Sequence, residues 1–252
     1  MAEAKTSRTT KAPTRRTGVR EAAAQATRDS ILKAATKVFA RYGYDGGSVE
    51  KISKAANSYD RMIYYYFGSK EGLFIAVLEG IYRKMDEAEA AIELDESRPV
   101  EALTAFIRFV VGYYRRNPEF VTLLNTENLH KGKHIAKSLR AREYSSHAID
   151  ILQRIVEAGV SQGLFRASVS ARDLYLLIAA TGYFYASNRY TLSAFLGEPL
   201  ETPEAVAHWE QFVIETVLRT VDAGPAGEEQ DATHEERKSW QKQQQPAASR
   251  AR

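Results

Sequence analysis

The chain has 252 residues, of which 44% are hydrophobic and 27% charged, and it carries a formal charge of +3 without any cysteine. At roughly 100–200 residues per domain, this length allows one large domain or two smaller ones. The lack of cysteine excludes disulfides, thiol nucleophiles and thiolate metal sites, and it fits a reducing compartment. The first 20 residues hold six cations and one anion, so a segment of +5 precedes a remainder of −2.

Targeting and membrane-spanning segments are not visible. The N-terminus is cationic but lacks the apolar stretch of a secretory signal. The longest uncharged, mostly apolar run covers residues 174–188, which is shorter than the roughly 20 residues needed to cross a bilayer. We therefore expect a soluble, cytoplasmic protein with no membrane partner.

Composition divides the chain into three zones. Residues 1–26 are rich in Ala, Thr and Arg and contain no Leu, Ile or Phe, which predicts a disordered basic arm. Residues 223–252 begin with Ala-Gly-Pro-Ala-Gly and become rich in glutamine, which predicts a disordered tail. Between them, residues 27–222 alternate apolar spacings of three and four residues with capping signals, as helices do.

The first helices are predicted in the segment before residue 91. Apolar residues recur at helical spacing ahead of the stop at Gly43. Ser48 is an N-cap for a short second helix, and a cluster from Met62 to Phe67 forms a third. Ser69 caps a long fourth helix that continues through Met85.

Five further helices are predicted in the rest of the chain. They begin at Pro99, at Asn117-Pro118, near Ile135, after Ser170 and after Thr202, and the third of them is expected to reach Gly159. No alternating strand pattern and no internal repeat is present. The fold class is therefore all-α, with about nine to ten helices.

Residues 48–67 have the layout of a helix-turn-helix. A capped helix ends at Asn57, a residue type that tolerates left-handed backbone, and a second helix of about two turns follows. In such a motif the second helix enters the DNA major groove. The expected core is Ile52, Ala55, Ala56, Ile63 and Phe67, and the expected outward face is Tyr59, Asp60, Arg61, Met62, Tyr65 and Tyr66.

The chemistry of this outward face suits DNA. Phenolic hydroxyls donate to phosphate, the helix starts at Ser48 and Ser69 present N–H groups to anions, and Lys70 adds a positive charge. Arg61 could form a bidentate contact with guanine. Residues 1–75 sum to +7 and residues 76–252 to −4, which favours nucleic acid at one end only. Ordinary packing of a tyrosine-rich helix pair and a solvated basic tail are the alternatives.

Residues 28–78, RDSILKAATKVFARYGYDGGSVEKISKAANSYDRMIYYYFGSKEGLFIAVL, resemble the DNA-binding domain of TetR-family transcriptional regulators. The matching positions are Phe39, Gly43, Ser48, Ile52, Ala56, Tyr64, Tyr65, Phe67, Ser69, Lys70 and Leu73. The chain departs from the family at Asn57-Ser58-Tyr59, where Gly-Val-Ser is common, and at Arg61 and Tyr66, where a small residue and a His are common.

The resemblance implies roles for individual residues. Ser48, Tyr65, Tyr66 and Lys70 occupy positions that contact phosphate, and Tyr59, Asp60, Arg61 and Tyr64 occupy the reading end of the recognition helix. Asp60 either accepts from cytosine or orients Arg61.

The resemblance also implies a domain division. Residues 27–74 form the DNA-binding domain, and residues 75–222 form a helical domain for effector binding and dimerisation. A homodimer is expected through helices at about 171–190 and 203–222, for which monomer core is the alternative. The apolar faces of these helices include Leu177, Tyr185, Trp209, Phe212 and Val213.

An effector cavity is expected between helices 100–117, 118–130, 135–159 and 171–190, with ordinary packing as the alternative for each residue. The candidates are Phe106, Phe109, Tyr113, Leu124, Asn128, His147 and Tyr183.

A different class of function is open because Glu127 and His130 lie three residues apart on one predicted helix. With His134 and His147 they could hold a metal in a helical enzyme. We nevertheless interpret the chain as a protein that is not an enzyme and that binds no metal and no cofactor.

We predict a ligand-responsive, DNA-binding transcriptional regulator, a repressor that binds a palindromic operator as a homodimer and is released by a small-molecule effector. An activator and a nonspecific DNA-coating protein are alternatives. By analogy with homeodomain arms, the basic N-terminal arm could contact flanking DNA.

Overall fold

The computed structural model describes residues 15–140 and 146–224. Within these ranges the regular elements are nine α-helices and one turn of 3₁₀-helix, and the predicted all-α fold is confirmed. The helices are α1 Arg15–Gly46, α2 Val49–Ala55, α3 Asp60–Phe67, α4 Lys70–Ala90, α5 Pro99–Arg116, α6 Pro118–Leu129, α7 Ser146–Ser161, α8 Ala171–Leu196 and α9 Pro203–Val221, and the 3₁₀ turn is Ile135–Lys137. None of the described helices is both long and apolar enough to span a membrane.

Helix α1 begins earlier than predicted. It starts at Arg15, so residues 15–26 are helical where a disordered arm was expected. The segment is rich in alanine, the strongest helix former, and lengthening an existing helix avoids the cost of nucleation. Residues 1–14 of the predicted arm and residues 225–252 of the predicted tail lie outside the described part of the chain.

The N-caps predicted at Ser48 and Ser69 are confirmed, and the helices predicted after Ser170 and Thr202 are capped in the same way. The hydroxyl oxygens of Ser48, Ser69, Ser170 and Thr202 each accept a hydrogen bond from the backbone N–H three residues later, at 2.9–3.3 Å. Asn117 precedes α6 as predicted, but its side chain donates instead to the Tyr113 carbonyl at 2.9 Å.

The predicted long helix from Ile135 to Gly159 is wrong. The 3₁₀ turn ends at Lys137, and Ser138 then adopts extended backbone. The Ser138 hydroxyl donates to Glu79 of α4 at 2.5 Å, which fixes the extended segment on a different helix. Helix α7 begins separately at residue 146.

The described chain forms two compact units. The first contains residues 15–91, 112–140, 146–147 and 183–192, and the second contains residues 92–111, 148–182 and 193–224. Helices α5, α7 and α8 contribute residues to both units, and α4 runs without a break through the predicted domain boundary at residue 75.

The core of the first unit is built around the Phe39 ring of α1. This side chain is fully buried, and its ring lies 5.0 Å from that of Phe74 on α4 in an edge-to-face arrangement. Ile52 of α2 and Ile63 of α3 are also fully buried, as predicted. The expected core position of Ala55 is wrong, because it is the last residue of a short helix and is exposed.

In the second unit, α5, α7 and α9 each bury aliphatic side chains. Leu103 and Ile107 of α5, Leu152 of α7 and Val217 of α9 are fully buried. Backbone hydrogen bonds then join the segment after α7 to the end of α9, from Arg166 N–H to the Val221 carbonyl at 2.9 Å and from Ala223 N–H to the Leu164 carbonyl at 3.1 Å.

A carboxyl group is buried near the end of α4 in the first unit. Glu89 is 2% exposed. Burial, together with the nearby Asp86 carboxylate, raises the pKa of Glu89 to about 8. Burial raises the pKa of the Tyr113 hydroxyl to about 12, and the Glu89 carboxyl contributes to this rise as a smaller cause.

We expect Gly47→Ala to destabilise the first unit by about 1–3 kcal/mol, because overpacking strains a filled core. A Cβ at residue 47 would lie 2.5 Å from Cδ1 of Phe39. Gly80→Ala is the matched control, since its nearest contact is 4.0 Å away, and it should stabilise α4 by about 0.5–1 kcal/mol. Urea unfolding measures both changes, and a Gly47→Ala protein of unchanged stability would contradict the close packing on Phe39.

We expect Glu89→Gln to remove a pH dependence of stability. The carboxyl titrates near 4.5 when unfolded and near 8 when folded, so the folded chain holds the extra proton between these pH values. The unfolding free energy of the parent therefore falls as pH rises through this window, by at most about 1.4 kcal/mol per pH unit.

Urea unfolding between pH 5 and 8 measures this slope. The exposed Glu87, changed to Gln, is the control and should retain the parental slope. If the unfolding free energies of the parent and of Glu89→Gln change with pH in the same way, Glu89 does not titrate in this range.

Candidate nucleic-acid interface

The turn between α2 and α3 adopts the left-handed backbone predicted for Asn57, which has a φ of +49°. The N–H groups of Asn57 and Ser58 donate to the carbonyls of Lys54 and Ser53 at 3.2 and 2.9 Å, and these bonds close the end of α2. Helix α3 follows after Tyr59 with Ile63 turned inward and fully buried. One face of α3 is thereby fixed against the core, and the opposite face is left to solvent.

The exposed face of α3 is aromatic with one cation. Tyr59 is 70%, Tyr64 54% and Tyr65 77% exposed, and Tyr66 is half-buried. The guanidinium of Arg61 lies 5.3 Å from the centre of the Tyr59 ring. This stacking restricts the Arg61 side chain at the start of α3, where the reading end of the helix was predicted.

Asp60, for which contact with cytosine and orientation of Arg61 were both expected as possible roles, has a partner on α2. Its carboxylate accepts a hydrogen bond from the hydroxyl of Ser53, which is 5% exposed on α2. The bond ties the first residue of α3 to the preceding helix and uses one acceptor oxygen. Sequence reasoning missed Ser53, because a contact across the turn leaves no local signal.

Two lysines lie at the helix starts that flank α3. Lys70 donates to the Asp45 carbonyl at 3.3 Å, and its ammonium lies 4.6 Å from the centre of the Tyr44 ring. Lys51, which sequence reasoning missed, donates to the Gly46 carbonyl at 2.9 Å and lies 4.6 Å from the Tyr42 ring. Both charges are positioned on tyrosine faces near Ser48 and Ser69.

The carboxylate of Glu127 holds the chain reversal after α6. One oxygen accepts the backbone N–H groups of His134 and Ile135 at 2.7 and 2.9 Å, and the other accepts Nδ1–H of His134 at 2.7 Å. The fully buried His134 ring lies 4.4 Å from that of Tyr44 and 5.0 Å from that of Phe74. The chain reversal therefore packs on Tyr44, the ring on whose face the Lys70 ammonium lies.

Glu127, which was considered with His130 only as an alternative metal pair, bonds to His134 and not to His130. Lys131 and Gly132 adopt left-handed backbone after α6 and bring His134 to Glu127 instead. Nδ1–H of His130 donates to the Thr126 carbonyl at 2.8 Å. His147 is half-buried at the start of α7. Among the described residues, no group of three or more acidic or histidine side chains is arranged to hold a metal.

The predicted effector residues are divided between the two units. Phe106 is fully buried and Phe109 half-buried in the second unit, whereas Tyr113, Leu124, Asn128, His147 and Tyr183 belong to the first.

Within the first unit, Tyr183 donates to the Asn125 side-chain oxygen, which also accepts from Ser187 at 3.0 Å. Burial raises the pKa of Tyr183, and hydrogen bonds from Asn128 and Ser187 oppose that rise. Sequence reasoning missed Asn125 and Ser187.

An open cleft of about 320 Å³ lies in the first unit. Of the seven predicted effector residues, Tyr113 lines it, and the others do not. The remaining lining residues are Thr36, Ile81, Lys84, Arg116, Asn117, Pro118, Glu119 and Phe120.

Two sequence families match the chain. Residues 31–77, from α1 into α4, match the family described as "Bacterial regulatory proteins, tetR family". Residues 99–217, from α5 into α9, match the family described as "Tetracyclin repressor-like, C-terminal domain".

The chain is similar to named regulators over most of its length. It is 52% identical over 206 residues to the HTH-type transcriptional repressor NicS of Pseudomonas putida, covering 82% of this chain and 97% of that protein. It is 27% identical over 207 residues to the HTH-type transcriptional regulator RutR of Escherichia coli K12, covering 80% and 95%. A TetR transcriptional regulator from Chloroflexus aurantiacus shares the fold, with a TM-score of 0.61 and 23% identity over 80% of this chain and 98% of that one.

Proposed function

Because the chain belongs to the TetR family of DNA-binding transcriptional regulators, we propose that it is a repressor that binds a palindromic operator as a homodimer and is released by a small-molecule effector. The observation that carries this proposal is the exposed face of α3, whose tyrosines and Arg61 stand between two helix starts with positioned lysines. The similar protein NicS is named a repressor, which favours repression over activation. The metal-enzyme alternative is set aside, because the family is one of regulators.

In the proposed complex, α3 enters the major groove and two sets of side chains divide the contacts. Ser48, Tyr65, Tyr66 and Lys70 bind phosphate oxygens and fix the orientation of α3. Tyr59, Arg61 and Tyr64 face the base edges, whereas Asp60 acts mainly through its bond to Ser53. A regulator of this kind acts where the chromosome is, so the cytoplasm stays the expected location.

The proposed dimer interface lies on α8 and α9. On α8, at 100° per residue, four exposed apolar residues fall within an arc of about 140°, opposite the buried Leu174 and Ile178. These four are Leu176, Phe184, Tyr190 and Phe195. On α9, Phe212 is 51% exposed and its ring stacks on Trp209 at 5.6 Å. Exposed aromatic residues of this kind anchor protein interfaces.

The proposed effector response passes through the end of α6. His134 contacts the Tyr44 ring, on whose face Lys70 lies, and Lys137 donates to Glu71 at 2.6 Å in the first turn of α4. The bond to Lys137 also lowers the pKa of Glu71. A ligand that displaces the end of α6 would therefore disturb the support of a phosphate-binding lysine, so it would favour a state with weaker operator binding.

We expect Arg61→Ala to relax base preference at one position of each half-site, at a cost of about 1–3 kcal/mol for the preferred base. Tyr65→Phe should weaken binding to all DNA sequences alike, by about 0.5–1.5 kcal/mol, because it removes one hydrogen bond to a phosphate. A binding-site selection followed by titrations of single-base operator variants measures both effects.

The exposed Lys84, changed to Ala on α4, controls for loss of a positive charge and should leave both affinity and preference unchanged. Unchanged preference in Arg61→Ala would exclude Arg61 from base readout. A parent protein that selects no sequence would contradict the proposed function itself.

We expect Phe184→Glu to convert the dimer to a monomer, because a charge would enter the apolar stripe of α8. Sedimentation equilibrium measures the mass, and operator binding should weaken in parallel. Leu129→Glu is the matched control, since Leu129 is 83% exposed on α6, and it should stay dimeric. A monomeric parent, or a Phe184→Glu protein that stays dimeric, would contradict the proposed interface.

A further inference from the structure

The first part of α1 extends beyond the core that the rest of the helix helps to form. From residue 18 onward, where burial is described, Ile31 is the first buried residue of α1, and residues 18–30 are all exposed or half-buried, with Val19 67% exposed. We refer to residues 15–27 as the helical extension. It therefore presents a helix surface that the described chain leaves open to solvent.

Local interactions support the helical form of this extension. Its sequence is rich in alanine, and it continues directly into a helix that tertiary contacts stabilise. Gln25 donates to Asp29 at 2.8 Å, and the Thr27 hydroxyl donates to the Ala23 carbonyl at 2.9 Å. The extension is thus expected to keep a fixed direction relative to the remainder of α1.

The extension begins beside the helix-turn-helix. The Ser30 hydroxyl donates to the carbonyl of Ala56 at 3.3 Å, just before the turn, and the Arg28 guanidinium lies 5.1 Å from the centre of the Phe67 ring at the end of α3. Helix α1 is broken at Gly43, whose φ is +68°. Its unbroken part therefore contacts the motif beside the turn and at the end of α3, and the extension continues past these contacts.

The charge of the extension is complementary to DNA. Residues 15–27 contain three arginines and one glutamate, and residues 1–14 contain three further cations and one anion. Residues 76–252 are net acidic, so the positive charge of the chain is concentrated in the part that contains the extension and α3. Double-stranded DNA offers a dense line of negative charge to such a surface.

We propose that the helical extension lies along the phosphate backbone that flanks the sequence read by α3. This inference rests on the proposed operator binding. An α-helix is about 10–12 Å wide and does not fit the minor groove of about 6 Å, so the contacts are to phosphates. The extension therefore adds affinity and salt dependence without base preference. Its 13 residues span about 20 Å, the length of about six base pairs.

The experiment compares full-length proteins on two duplexes, one ending at the selected operator and one with six more base pairs on each side. Fluorescence anisotropy at several salt concentrations gives the affinity and its salt slope. We expect the parent to bind the longer duplex more tightly and with a steeper slope. Arg20→Gln should reduce that slope by about 0.9 for each subunit, because one phosphate contact is lost.

Two further variants separate a rigid helix from a flexible basic chain. Ala23→Pro keeps the charge but breaks the helix, and it should lose the advantage of the longer duplex. Gly18→Ala is the matched control, because a Cβ at residue 18 meets no atom within 4 Å, and it should retain or increase that advantage. Far-ultraviolet circular dichroism and thermal unfolding check that each variant keeps the folded core.

Several outcomes would overturn the inference. The first is that the parent binds both duplexes with equal affinity. The second is that Arg20→Gln has the same salt slope as the parent. The third is that Ala23→Pro gains as much affinity from the longer duplex as the parent does. Any of these results with intact operator selection contradicts the role of the extension alone. Loss of operator selection by the parent would instead contradict the proposed function, so the two failures are distinguishable.

Discussion

The packing around the Phe39 ring is the constraint on which the candidate interface depends. The ring is fully buried between α1, the start of α2 and α4, and it leaves no space for a side chain at Gly47. Gly47 immediately precedes the Ser48 cap, and Phe74 lies one helical turn after Lys70. The position of this ring therefore sets where the helix starts at Ser48 and Ser69 lie, and with them the position of α3 between these two starts.

The parts of the fold that follow from local sequence were predicted from it. Capping by Ser48 or Ser69 and the burial of Ile63 depend on residues a few positions apart, whose spacing is visible in the chain. The start of α1 was missed, because its alanines favour a helix while its lack of large apolar residues suggests disorder. Composition indicates whether a segment can form a core, whereas helix propensity indicates whether a segment can extend an existing helix.

The part of the candidate site that depends on local sequence spacing was predictable, and the part that depends on contacts across turns was not. The exposed face of α3 follows from helical periodicity, but the partners of Asp60 and Glu127 lie seven residues away across turns. Helical spacing paired Glu127 with His130, whereas left-handed backbone at Lys131 redirects the chain and substitutes His134. Effector residues depend on how distant helices assemble, and sequence periodicity indicates only that a residue turns inward.

The bond between Ser53 and Asp60 makes these two residues depend on each other. Because Asp60 holds α3 to α2, an exchange at this position alters the scaffold that carries the exposed face of α3. Tyr59, Arg61 and Tyr64 are exposed without such a tie to α2 and can change one at a time. If α3 reads bases as proposed, new operators would be acquired after a gene duplication through these three side chains, while Ser53 and Asp60 would be retained or replaced only together.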